Sequence, residues 1–161
     1  MMKGSLKGKH FLTLEDFTPE ELRYLLDLSI RLKKEKKEGR DQRKNTGKNM
    51  LMLFEMESTR TRCSFETSAQ DLGMGTTYLS NSHFGTKETI KDSMRVFSAM
   101  YDVIAYRGKE HSQLLEMAKD STIPIINGYT MHEHPTQMLA DFMTLDEVYG
   151  REGYRGRTFV Y

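Results

Sequence analysis

Short apolar runs that alternate with segments of helical periodicity constrain this chain more than any other feature of its sequence. The runs at residues 50–54, 76–79, 103–106 and 123–126 read as buried strands, and helices are expected between them at about 61–72, 87–100 and 112–119. Parallel strands need a long connection to return, and a helix supplies it with a right-handed crossover. The predicted class is therefore α/β, a doubly wound four-stranded parallel sheet flanked by helices. Two further helices frame this core. Thr18-Pro19-Glu20-Glu21 has the form of a capping box and opens a helix that runs to about Lys37, with Leu22, Leu25, Leu26 and Leu32 at helical spacing. Its lysine-rich end suits the negative pole of the helix dipole. Pro135 opens the last helix, which reaches about Tyr149 before Gly150.

At 161 residues the chain suits one ordinary domain, placed at residues 1–150. Residues 151–161 pass through Gly153 and Gly156 into Thr158-Phe159-Val160-Tyr161, which reads as a linker and the first strand of a missing second domain. A formal net charge of +1 with 29% charged residues carries no bias towards nucleic acid. The start of the chain holds no continuous apolar segment, so no membrane partner is expected and the localisation is read as cytoplasmic. The lone Cys63 fits a reducing compartment, and it is expected to be a small packed residue rather than a nucleophile. Met94, Met100, Met117, Met138 and Met143 are expected mostly on core-facing helix surfaces.

In an open parallel sheet, ligands bind where the carboxyl ends of the strands meet helix N-termini. After the first strand comes Glu57-Ser58-Thr59-Arg60-Thr61-Arg62, which joins hydroxyls and guanidiniums to a helix start. An anion site and a capped helix carrying surface arginines both fit that segment taken alone. The other strand ends carry Tyr106-Arg107-Gly108, the run from Ser80 to Glu88, and Asn127-Gly128 followed by His132-Glu133-His134-Pro135-Thr136-Gln137. All of these polar clusters are expected on one edge of the sheet. His132, Glu133 and His134 lack the further ligands that would complete a coordination sphere, so no metal is expected.

Ser58-Thr59-Arg60-Thr61-Arg62 and His134-Pro135-Thr136-Gln137 resemble the paired signatures of the aspartate and ornithine carbamoyltransferases, and the resemblance runs from about Phe11 to Tyr149. Ala105-Tyr106-Arg107-Gly108, Gly85-Thr86-Lys87-Glu88 and Ala140-Asp141-Phe142-Met143-Thr144-Leu145 look like the ornithine branch. The resemblance implies a carbamoyl-phosphate-binding domain in which Ser58, Thr59, Arg60 and Thr61 hold the phosphate. Arg107 would bridge phosphate and carbonyl oxygen, His134 would donate to that oxygen, and Gln137 would hold the carbamoyl amide. Arg62 would at most position its neighbours. The implied reaction carries the carbamoyl group to ornithine, giving citrulline and phosphate without a cofactor. The amino acid would be gripped by the missing domain, so the chain alone is expected to be inactive or weakly active. Two alternatives remain open: a binding module without turnover, and aspartate as acceptor. The resemblance also implies a homotrimer or a multiple of trimers. The loop after the second strand looks shorter than the family's and carries His83-Phe84 where a glutamine and an apolar residue are common, so His83 is a candidate for contact across a subunit interface.

Overall fold

Each apolar run of the sequence becomes a strand, namely β1 (Asn49–Phe54), β2 (Gly75–Leu79), β3 (Val103–Arg107) and β4 (Ile125–Tyr129). They form one sheet in the order β2-β1-β3-β4, with every neighbouring pair parallel. Among the described residues five helices accompany it: α1 (Pro19–Lys37), α2 (Arg60–Asp71), α3 (Ile90–Met100), α4 (His111–Asp120) and α5 (Pro135–Tyr149). The computed structural model describes residues 6–80 and 84–160. Among these, no helix is long and apolar enough to cross a membrane.

The core follows from the two-residue period of a strand, which sends successive side chains to opposite faces. Leu51, Leu53, Ile104, Tyr106 and Ile125 are buried on one face together with Met94 of α3 and Leu114 and Met117 of α4. Met50, Met52, Phe54 and Ala105 are buried on the other with Ala69 of α2. Helices therefore cover both faces, which is why these strands read as continuous apolar runs rather than as alternating ones. α1 lies against α5, and the two are tied by the ion pairs Arg23–Asp146 and Lys33–Glu147.

Capping decides where the helices begin. Glu21 N–H donates to Thr18 Oγ1 at 3.2 Å while Thr18 N–H donates to Glu21 Oε2 at 2.9 Å, so the expected capping box is formed. α3 starts later than expected because the Thr89 hydroxyl accepts from Asp92 N–H at 3.1 Å, which makes Thr89 the cap and Ile90 the first helical residue. β4 is also displaced towards the C-terminus of the expected run. The displacement has a tertiary cause: β3 pairs with β4 as far as Arg107 opposite Tyr129, while Phe11 adds an isolated bridge, accepting from Asn127 N–H at 2.8 Å and donating to Ile125 O at 2.8 Å.

Several side chains depart from the sequence reading. In α3 the inward face belongs to Met94 and Phe97, and Met100 falls off that face and is 61% exposed. In α2 the inward positions are Phe65 and Ala69, so Cys63 is exposed rather than packed. In α1 only Leu26 of the four expected leucines is buried. Residues 157–160 form no strand.

Ile104 sits fully buried on β3 at the centre of the sheet. Ile104→Ala should lower unfolding free energy by about 2–5 kcal/mol. By contrast, Val96→Ala on the exposed side of α3 should change it by less than about 0.5 kcal/mol. Urea titration followed by circular dichroism measures both.

Candidate active site

The chain reverses its direction of travel across the sheet between β1 and β3, since β2 lies on one side of that pair and β4 on the other. At such a switch point the connections leaving adjacent strands diverge to opposite faces and open a crevice at the carboxyl ends. A cleft of about 1010 Å³ occupies this place. It is lined by Ser58, Thr59, Arg60 and Thr61 after β1, by Arg107 at the end of β3, and by Tyr129, His134, Thr136 and Gln137 from the end of β4 and the start of α5. It continues between Ser64, Phe65 and Ser68 of α2 and Ala140 of α5.

The N-terminus of α2 faces this cleft without a side-chain cap. Thr59 occupies the cap position in a helical conformation and its hydroxyl accepts no cap hydrogen bond. The first amides of the helix therefore remain available, with the positive end of the helix dipole behind them. This disfavours the plain capped-helix reading of the segment. Among the described residues, neither Arg60 nor Arg107 has an ion-pair partner, and the half-buried Arg107 Nε has no hydrogen-bond acceptor. Burial pulls the Arg107 pKa below the ordinary arginine value, with the Tyr129 phenol acting weakly in the opposite sense. The guanidinium stays charged, because an arginine side chain does not lose its proton in proteins. A partly dehydrated cation without a counter-charge is a receptor for an anion.

Arg62 is turned elsewhere. Its Nε donates to Glu66 Oε1 at 3.1 Å and its guanidinium lies 3.7 Å from the centroid of the Tyr78 ring, so it braces α2 against β2 outside the cleft.

The loop that carries His134 is organised by Asn127. This side chain is fully buried, and its Nδ2 donates to Leu12 O at 2.9 Å and to Glu133 O at 3.3 Å while its Oδ1 accepts from Tyr129 N–H at 3.0 Å. One amide thus joins the N-terminal segment, the end of β4 and the loop before α5. The three polar residues of that loop then diverge. Glu133 Oε1 accepts from Leu14 N–H at 2.9 Å, the His132 ring packs 4.7 Å from that of His111, and His134 turns into the cleft. Burial lowers the His134 pKa, the Arg107 charge lowers it further, and Asp141 opposes both. The imidazole is therefore neutral at pH 7 and carries one N–H. Thr136 Oγ1 lies 3.2 Å from His134 Nδ1, and a hydroxyl proton donated there leaves the N–H on Nε2. Gln137 Nε2 donates to Asp141 Oδ1 at 2.9 Å, which leaves its carbonyl oxygen to accept a further donor.

Ser58, Thr59, Arg60, Thr61, Arg107, His134 and Gln137 thus line one cleft, whereas Arg62, His132 and Glu133 do not, and Arg60 and His134 lie on the same face of the molecule. The loop after β2 does not join them. None of its described residues reaches the cleft: Phe84 is instead buried in the core beside Phe97, and His83 lies outside the described residues. The sequence reading missed Tyr129, since it ended the fourth strand at Ile126. The signal for it was the strand-compatible Tyr129 following Gly128, which a longer strand would have included.

A parallel sheet whose switch-point crevice collects uncompensated guanidiniums, a bare helix N-terminus and a neutral histidine defines an α/β ligand-binding domain suited to an anion. The chain belongs to the aspartate/ornithine carbamoyltransferase family, whose carbamoyl-P binding domain it matches over residues 9–147. It is 48% identical over 162 residues to an ornithine carbamoyltransferase, catabolic, of Mycoplasma capricolum subsp. capripneumoniae, covering 99% of this chain and 51% of that protein. Against the corresponding protein of Clostridium perfringens strain 13 the identity is 51% over 146 residues, covering 91% of this chain and 44% of the relative. The ornithine carbamoyltransferase structure from Pyrococcus furiosus superposes with a TM-score of 0.87 at 39% identity, covering 89% of this chain and 46% of that one. The chain spans about half the length of the curated relatives it matches.

The electrostatics of His134 can be checked directly. Its Cε1 proton should titrate below the ordinary histidine value of 6.5, and Arg107→Ala should raise the midpoint by removing a positive charge that opposes the imidazolium. Asp141→Asn should lower the midpoint, since it removes a negative charge. Proton NMR against pH reads all three.

Proposed function

We propose that the cleft binds carbamoyl phosphate and that this chain is the carbamoyl-phosphate half of an ornithine carbamoyltransferase, forming citrulline and phosphate. The observation that carries this reading is the convergence of Arg60, Arg107, His134 and the uncapped start of α2 on one cleft. Carbamoyl phosphate presents a phosphate dianion, a carbonyl oxygen and an amide within a few ångströms, and each has a complementary group here. Ser58, Thr59, Arg60 and Thr61 with the helix amides hold the phosphate. Arg107 spans phosphate and carbonyl oxygen, the His134 Nε2–H donates to that oxygen, and the free Gln137 oxygen accepts from the carbamoyl amide.

Catalysis follows from where charge moves. An amine attacking the carbonyl carbon pushes negative charge onto its oxygen, and donors already aimed at that point stabilise the tetrahedral transition state more than the ground state. Collapse expels the phosphate, whose charge the arginines and the helix dipole already meet. No covalent intermediate with the protein is required. A neutral His134 suits this role, since it can donate without adding a second full charge beside Arg107.

The names of the relatives near half identity favour ornithine as acceptor, whereas an aspartate transcarbamoylase structure from Trypanosoma cruzi stands at 28% identity. Residues 1–150 act as the carbamoyl-phosphate domain. Residues 151–161 lead towards the part of such proteins that grips the amino acid and closes over the site, excluding water. The working assembly is a trimer in the cytoplasm.

Isothermal calorimetry should detect carbamoyl phosphate binding to this chain. Arg60→Ala should weaken it by at least about a hundredfold, because two charge-assisted bonds of about 1.5–3 kcal/mol each are lost, with the circular dichroism spectrum unchanged. Unaltered affinity would remove Arg60 from the site. The same preparation should form little or no citrulline from ornithine; turnover near that of a complete enzyme would refute the assignment of the acceptor site to another part of the protein.

A further inference from the structure

We propose that Tyr129 is a positioning residue whose ring holds the Arg107 guanidinium and the His134 imidazole in place at the cleft. The inference rests on the reading of that cleft as a carbamoyl phosphate site, and it begins with a local irregularity of the sheet. β3 and β4 pair in regular register through Ile104↔Ile125, Ala105↔Ile126 and Tyr106↔Asn127, and a regular continuation would set Arg107 opposite Gly128. The register shifts at that point, and Arg107 stands opposite Tyr129 instead. A side chain at Gly128 would lie 3.0 Å from Phe65 Cε2 and 3.1 Å from Tyr106 O, so the displaced position accepts only glycine without adjustment of its neighbours. The new register is secured by Gly108 N–H donating to Tyr129 O at 3.1 Å and by Tyr129 N–H donating to Asn127 Oδ1 at 3.0 Å.

Directly opposed residues of a ladder share a face, so the bulge brings the phenol ring beside the guanidinium. The Arg107 Cζ lies 4.4 Å from the ring centroid. The same ring meets His134 at right angles, with centroids 5.6 Å apart and an interplanar angle of 80°. The Tyr129 hydroxyl points away towards Met131 Sδ at 3.3 Å. The ring therefore contacts both groups, while the hydrogen bond of the hydroxyl goes to Met131.

An aromatic face has a property that a carboxylate lacks. It orients a cation through its quadrupole and leaves the charge uncancelled, whereas a carboxylate in the same place would compete with the incoming anion. Tyr129 thus supplies the restraint that Arg62 receives from Glu66 and Tyr78 together, without the counter-charge. It also shields one side of His134, whose other neighbours are Arg107, Thr136 and Asp141.

The test compares Tyr129→Phe, Tyr129→Leu and Tyr129→Ala with the parent chain. Carbamoyl phosphate affinity is read by calorimetry, and the His134 Cε1 titration and Arg107 Nε–H relaxation are read by NMR without ligand. Leu and Ala should weaken binding by roughly five- to thirtyfold, the loss expected for a cation–π contact. Both should also loosen the Arg107 side chain, and Ala should raise the His134 midpoint towards 6.5, because burial is the largest cause of its depression. Phe should restore all three readings. Leu retains apolar volume, so the comparison survives if the Ala variant fails to fold. Parent-like affinity and Arg107 relaxation in the Leu variant would overturn the proposal, and so would a Phe variant as impaired as Leu, which would move the role to the hydroxyl. A parent chain that binds no carbamoyl phosphate would refute the proposed function instead, and the two ligand-free NMR readings would still decide whether Tyr129 positions its neighbours.

Discussion

Parallel pairing of β1, β3 and β4 is the constraint from which the rest of this molecule follows. Parallel strands all end at one rim, so the segments that leave β1, β3 and β4 must start their returns from neighbouring points. Burial of the sheet on both faces makes this arrangement costly to alter, since a one-residue slip of β1 would exchange Leu51 and Leu53 for Met52 and Phe54 against helices shaped for the other set. The cleft is a consequence of that geometry. Its donors come from separate turns only because the strands hold those turns side by side.

Two guanidiniums at this rim have no carboxylate partner among the described residues. Arg23, Arg43, Arg95, Arg151 and Arg155 each face a carboxylate, as does Arg62 immediately beside the cleft. Among the described residues Arg60 and Arg107 do not, and neither do Arg31 and Arg157; what sets Arg107 apart is that its Nε is also buried without an acceptor. Leaving a half-buried guanidinium unpaired costs stability, and proteins tolerate such costs where a ligand completes the set. Asn127 plays the opposite part. Every hydrogen-bonding group of its amide is matched within the fold, and a buried amide so satisfied fixes the backbone around it; here it orders the loop from Tyr129 to His134.

Much of this was legible in the residues themselves, because its causes are local. The capping box at Thr18, the apolar strand runs, the glycines after helices and the two polar motifs are all read within a few positions of the chain. What escaped was decided by partners distant in sequence. The end of β4 escapes because β3 sets it: Arg107 stands opposite Tyr129, and Gly108 N–H donates to Tyr129 O at 3.1 Å. The loop after β2 leaves from the common rim as expected, but its described residues turn away from the cleft, with Phe84 packed beside Phe97 in the core. Cys63 and Met100 were assigned to packed faces on residue type alone, and the helices turn other positions inward.

The sequence by itself determined the class of fold, the set of donors and the chemistry they suit, since periodicity, capping and side-chain type are properties of neighbouring residues. Only the tertiary structure decided which of those donors meet. That depended on the lateral order of the strands, on a single bulge at Gly128 and on one buried asparagine, all of which are set by packing between elements that the chain order does not place together. The pairing of Arg107 with Tyr129 is the clearest instance, because a regular register would have put a glycine there and left the guanidinium without an aromatic face.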